Sequence, residues 1–185
     1  MVMTLSSRAL PHAFVALGLA WALSGDARAQ ALPSAPIESV FHIAKSENRN
    51  QVHYAVDVDQ RCRPRGKTPV RGYWREFEEG PRVTDTLRDH QQRAYGLKAP
   101  RTIAISDEGG DVRVSLRALP ERLLRVVTFR DANGCRARAF TPIKKQPAIL
   151  TSIYVELGFL YSVDYILLRG IRVSDGAPIQ ERIED

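Results

Sequence analysis

From residue 37 onward the chain alternates apolar and polar residues with a period of two, the mark of strands that bury one face. In VFHIA (40–44), Phe41 and Ile43 share a face. In VHYAVDV (52–58), Val52, Tyr54, Val56 and Val58 share one face, while His53, Ala55 and Asp57 take the other. VRGYWREF (70–77) and RTIAIS (101–106) follow. DVRVSLRAL (111–119) sets Val112, Val114, Leu116 and Ala118 inward against Arg113, Ser115 and Arg117. Turn chemistry punctuates these runs at DEGGD, at LPER and at DANG (131–134), the last a strong hairpin signal between RLLRVVTFR and CRARAFTPI. The final strands surround LGFLY and SDGAP.

One segment breaks the alternation. TDTLRDHQQRAYGL (84–97) offers Thr84 or Asp85 as N-cap, apolar positions at Leu87, Ala94 and Tyr95, and Gly96 as a stop, which predicts one short helix near 85–95. The whole pattern predicts an all-β fold: a single domain of about 8–10 antiparallel strands, closed as a meander barrel or packed as a sandwich. One-face alternation argues against a buried parallel sheet, and small barrels enclose single ligands.

The register of the first hairpin follows from the same pattern. Setting Ile43 opposite Val52 brings Phe41 to Tyr54 and closes an apolar face. It also places His42 opposite His53 on the other face and leaves KSENRN as a six-residue loop. A slip by one residue would mix the two faces.

The N-terminus changes the setting. Arg8 and His12 precede an apolar run, AFVALGLAWAL (13–23), and Ala27-Arg28-Ala29 fits a small-x-small cleavage site. We therefore expect a signal peptide at 1–29, a Pro/Ala linker at 30–36, one β-rich domain at 37–185, and a periplasmic or secreted bacterial protein. The run is too short to span a bilayer, and the apolar stretch 148–171 is interrupted by Glu156, Gly158 and Asp164, so no transmembrane anchor is expected after cleavage. In that compartment the two cysteines, Cys62 and Cys135, are expected to form a disulfide.

Charge is uneven. Residues 61–145 hold 20 basic and 10 acidic side chains, and residues 148–185 hold 3 and 6. The charges alternate along strands rather than cluster, so no nucleic-acid partner is expected.

Candidate chemistry concentrates in KSENRNQVHY (45–54). Lys45, Asn48 and Asn50 are placed to donate to an anion or a sugar at a barrel mouth, with His42 and His53 beside them. The competing reading is a hairpin turn whose Asn and Ser side chains bond their own backbone. Trp74 and Arg75 in GYWREFEEGP extend the candidate ligand site, with Trp74 on one face and Tyr73, Arg75 and Phe77 on the other. Glu76, Glu78 and Glu79 offer a carboxylate pair of the glycosidase kind with little specificity. Two histidines and Asp57 fall short of a metal set, so neither metal nor cofactor is expected. GxSxG, HExxH, P-loop and GxGxxG motifs are all missing from residues 30–185. Ser46 near His42 or His53 is a nucleophile–base candidate without an oxyanion motif, and no catalytic residue is assigned.

HIAKSENRNQVHY, YWREFEEGP, QRAYGL and LRALPER, in that order, resemble a family of exported bacterial proteins known only as a domain of unknown function. The resemblance covers about residues 37–183 and implies a signal peptide and one small domain; it implies no reaction, ligand or site residue. The sequence thus points to an exported non-catalytic β-domain that binds a small or polymeric cell-envelope ligand. The alternatives are a small envelope hydrolase with a histidine general base and a structural or partner-binding module. Convergence of Lys45, His53, Trp74 and Arg75 in one pocket would support either a binder or an enzyme.

Overall fold

The computed structural model describes residues 36–77, 82–84 and 86–184. The expected signal peptide, nearly all of the linker, and Glu78, Glu79 and Asp85 lie outside the described residues.

The chain opens with a hairpin of β1 (Ile37–Lys45) and β2 (Gln51–Val56). Its register is the one the apolar pattern requires: Phe41 faces Tyr54, His42 faces His53 and Ile43 faces Val52. A bulge between Ile37 and Phe41 holds Ser39 in the left-handed region, at φ 54°. β3 (Val70–Glu76) pairs with β2, and β4 (Arg82–Thr84) pairs with β3. After α1 (Asp89–Tyr95) comes an antiparallel meander of β5 (Leu97–Ser106), β6 (Gly109–Leu116), β7 (Leu119–Asp131), β8 (Gly134–Ile143) and β9 (Gln146–Leu157). β10 (Val163–Arg172) and β11 (Pro178–Glu184) complete the sheet.

The sheet has eleven strands in the order β4-β3-β2-β1-β9-β8-β7-β6-β5 and curls into a nearly closed barrel, with β10 and β11 branching off at β9. Eleven exceeds the expected 8–10 because β4 is three residues long, too short to display alternation. The all-antiparallel expectation also needs correction, because β1 and β9 run parallel, with His42 beside Ser152 and Lys45 beside Val155. β8 pairs with β9 only as far as Leu150. β1 takes over the same edge from Ser152 to Val155, while β10 follows the opposite edge. Alternation reports which face a residue occupies and is silent on the direction of the neighbouring strand.

Two local expectations shift as well. The β6–β7 turn lies at Arg117 and Ala118, two residues before LPER, because Leu116 pairs with Leu119 and Leu119 packs on the core. Ala118 is accordingly exposed rather than inward. The helix starts at Asp89 with Arg88 as its N-cap residue, Gln91 accepting from the Arg88 backbone N–H at 2.9 Å. Thr84 still belongs to a strand. Gly96 ends the helix as expected. Its N–H donates to Gln92 O at 3.0 Å, and a Cβ there would lie 2.2 Å from that oxygen, so only glycine fits.

The barrel interior is a single apolar cluster drawn from β1, β2, β3 and β6–β10. Leu87, just before α1, is buried in it, and Gly72 leaves the space: a Cβ there would sit 3.1 Å from Leu87 and 3.2 Å from the Tyr54 ring. The Tyr54 hydroxyl donates to Tyr95 O at 2.6 Å, so the helix is bonded to the barrel wall. Cys62, in the loop after β2, is disulfide-bonded to Cys135 on β8, with Cα atoms 5.2 Å apart.

Candidate functional site

An apolar cavity of about 260 Å³ opens where the end of β1, the helix α1, the β6–β7 turn and the β9–β10 hairpin meet. Ile43, Ile153, Val155, Leu116 and Ile166 contribute to its walls. Among the described residues, Lys45 is the one charged residue in the lining. It follows Phe41 and Ile43 on the inward face of β1, so period two carries a cation to the end of an apolar wall. Its ammonium pairs with the Glu47 carboxylate and lies 5.6 Å from the centroid of the Trp74 ring. Trp74 in turn lies 6.4 Å from Tyr95, another residue of the lining. Burial raises the Tyr95 hydroxyl above its ordinary pKa, against the opposing field of Lys45, so the phenol stays neutral. The lining thus combines an apolar body with a single cation, the donor set for a ligand with an apolar part and one acidic group.

The 3-10 turn at Phe159–Tyr161 joins β9 to β10 beside this cavity, with Leu157 and Val163 in the lining. Phe159 and Leu160 are 85% and 80% exposed there.

Side-chain oxygens of the hairpin loop accept backbone hydrogen bonds. Asn48 Oδ1 accepts from the Asn50 N–H at 3.1 Å, and Asn50 Oδ1 accepts from the Phe77 N–H at 2.9 Å. Ser46 Oγ accepts from the Leu157 N–H at 3.0 Å, which ties the loop to β9. Of these, the Asn48–Asn50 contact is the self-bonding turn contact expected of Asn, whereas Asn50 and Ser46 reach across to Phe77 and Leu157.

His42, His53 and Arg75 lie on the outside of the sheet, behind the cavity wall. His53 stacks between His42, at 5.2 Å, and Tyr73, at 5.7 Å. Its Nδ1 lies 2.6 Å from Ser39 Oγ and its Nε2 lies 2.9 Å from Gln51 Oε1. These neighbours cover the ring, which is 5% exposed although it faces away from the core. Burial, then His42 and Arg75, lower its pKa to about 4. Burial, then Arg169, lower that of His42. Both imidazoles are therefore neutral near pH 7.

Lys45, His53, Trp74 and Arg75 do not converge in one pocket, the arrangement that would have supported a binder or an enzyme alike. Lys45 and Trp74 meet on the inner side, whereas His53 and Arg75 belong to the outer face, because adjacent strand residues point to opposite sides of a sheet. Sequence reasoning missed the far wall, Leu116 to Leu119 and Leu157 to Ile166, and it missed Ser39. The inward direction of Lys45 was readable from its spacing to Ile43. Among the described residues no group of three or more His, Cys, Asp or Glu is placed to hold a metal, and no helix is long and apolar enough to cross a membrane.

A family model described as "Domain of unknown function (DUF4833)" matches residues 41–182. Neither the curated proteins nor the solved structures give a match to the chain.

Proposed function

The chain belongs to the family described as a domain of unknown function (DUF4833), and from that premise we propose that it is an exported, non-catalytic β-domain that binds a small cell-envelope ligand. The ligand has an apolar body and one acidic group; the body fills the cavity and the acid meets Lys45. The observation that carries this reading is an apolar lining with one cation at its edge. At about 260 Å³ the cavity is slightly smaller than the usual small-molecule sites, which run from about 300 Å³ upward, so the ligand body is small. Glu47 already holds a carboxylate against Lys45, and a ligand acid would take its place. The Cys62–Cys135 bond supports an oxidising compartment and hence export, with the signal peptide at 1–29 as the route to the periplasm. The cavity favours a binder over a purely structural module.

One contact favours the alternative, an envelope hydrolase with a histidine base. Ser39, exposed and left-handed, meets His53, whose other nitrogen is held by Gln51. A base with a pKa of about 4 takes up a hydroxyl proton poorly at neutral pH, so this arrangement serves better as a clamp on the β1 bulge.

Native mass spectrometry of protein purified from its own periplasm tests the proposal. The expected result is a retained acidic, amphipathic ligand that is lost in Lys45→Met. Retention unaffected by that substitution, or labelling of Ser39 by a fluorophosphonate, would overturn it.

A further inference from the structure

The outer face carries a second feature, independent of the cavity. Strand pairing aligns Tyr73, His53, His42, Ser152 and Arg169 in one row across β3, β2, β1, β9 and β10. Arg75 lies two residues beyond Tyr73 on β3 and pairs with Gln51. The two histidines in this row are not equivalent. His53 has both ring nitrogens engaged and is nearly inaccessible. His42 is partly exposed, and no hydrogen bond reaches either of its nitrogens among the described residues. Arg169 in the row and Arg75 beside it are the nearby cations. Arg169 and Arg75 have no acidic partner among the described residues, and Arg75 Nε is buried without a hydrogen-bond partner. Each lies over an aromatic ring instead, Arg169 over Tyr154 at 5.6 Å and Arg75 over Phe77 at 5.3 Å.

We propose that His42, Ser152 and Arg169 form an oxyanion-binding site on the outer face of the sheet, with Arg75 adding positive field from the far side. The ligand class is a phosphate- or carboxylate-bearing molecule whose acidic group sits between the imidazole and the guanidinium. Arg169 offers a fork of N–H donors and Ser152 a hydroxyl. His42 completes the set as an imidazolium once the anion is present. His53 is a positioning residue: held by Ser39 and Gln51, it fixes the plane against which His42 stacks.

The pH dependence follows from the charges that face His42. β2 brings His53, β3 brings Tyr73 and Arg75, β10 brings Arg169, and β9 brings the uncharged Ser152. Burial, then Glu38 on β1, raise the Tyr73 pKa against Arg75 and Arg71, so this phenol keeps its proton. The nearest charges are therefore positive, and burial, then Arg169, oppose protonation of His42. An anion reverses that sign, so binding and proton uptake are coupled and affinity rises as pH falls.

The test is an NMR titration of the His42 and His53 ring protons in the full exported chain, at ionic strength matched with chloride. The probes are sulfate, a non-titrating stand-in for phosphate, and glucuronate, a sugar carboxylate. We expect the His42 midpoint to rise by about half a unit or more with at least one probe. The shift should vanish in Arg169→Gln and shrink in Arg75→Gln, while His53 stays neutral in every sample well above its own pKa of about 4. The probe with the larger effect distinguishes a phosphate source from an acidic sugar. A His42 midpoint that neither probe moves, or an equal shift in wild type and Arg169→Gln, would overturn the assignment.

Discussion

His42 and His53 stack across the first hairpin with ring centroids 5.2 Å apart and planes 21° apart, one residue partly exposed and the other buried. The pair makes stability depend on pH. The folded state holds the His53 pKa at about 4, against an ordinary value of 6.5. Between those two values the unfolded chain binds a proton that the folded chain refuses, so stability rises with pH. The contribution is fully present above pH 6.5 and is lost as pH falls toward 4, to an upper figure of about 3 kcal/mol at 1.36 kcal/mol per unit. Urea unfolding at pH 7.5 and 4.5 should show this loss in wild type, and a smaller one in His53→Gln.

Reduction of the Cys62–Cys135 bond should be costly. The bond closes a sequence separation of 73 residues, for which chain entropy predicts about 4 kcal/mol. Cys62→Ser/Cys135→Ser should unfold at lower urea with the fold retained, and mass mapping of the native protein should find no free thiol.

Tyr54→Phe isolates the link between barrel and helix. The substitution keeps the ring, stacked on Phe41 at 4.3 Å, and removes the donor to Tyr95 O. It leaves a carbonyl unpaired, so the expected cost is about 1–3 kcal/mol. Hydrogen exchange should quicken in α1 before it quickens in β2.

The exported form should begin at Gln30, after Ala27-Arg28-Ala29. N-terminal sequencing of periplasmic protein checks this, and a form still starting at Met1 would count against export by this signal.

The parts of the fold legible in the sequence are those that local alternation controls. Phe41 against Tyr54 and His42 against His53 could be read because the partners lie within one hairpin and only one register buries both apolar faces. The place of Arg169 in the His42 row could not be read. It depends on β1 running parallel to β9, a choice made by where β8 leaves the β9 edge. The cavity was half legible. Lys45 shares its face with Ile43, but its charge and the polar residues after it resemble a loop, and the Leu116–Leu119 wall comes from a turn placed two residues early by a leucine pair. The Asn48 oxygen makes the local turn contact that its residue type announces, whereas the Asn50 oxygen accepts from the Phe77 N–H, a contact between separate segments that no local pattern carries.

The ion pair at the cavity edge gives the sharpest prediction. Lys45 has a side chain 15% exposed, and Glu47 one 37% exposed. The lysine is therefore the buried member and the glutamate the replaceable one. Lys45→Met keeps the apolar stem and removes the charge. Binding of an apolar anion such as anilinonaphthalene sulfonate should then weaken about tenfold, the loss of one charge-assisted contact of about 1.4 kcal/mol. A neutral apolar probe of similar size should bind both proteins alike. Glu47→Gln acts in the opposite direction. It removes the carboxylate that competes for the ammonium, and because partly exposed ion pairs are worth about 0–1 kcal/mol the gain in anion affinity should be up to about fivefold. Fluorescence titration of the three proteins with both probes measures these effects. Opposite responses of the two variants to the anion, with none to the neutral probe, are what a cavity that selects its ligand through Lys45 requires. Parallel responses would mean that the loop has moved and that Lys45 selects nothing.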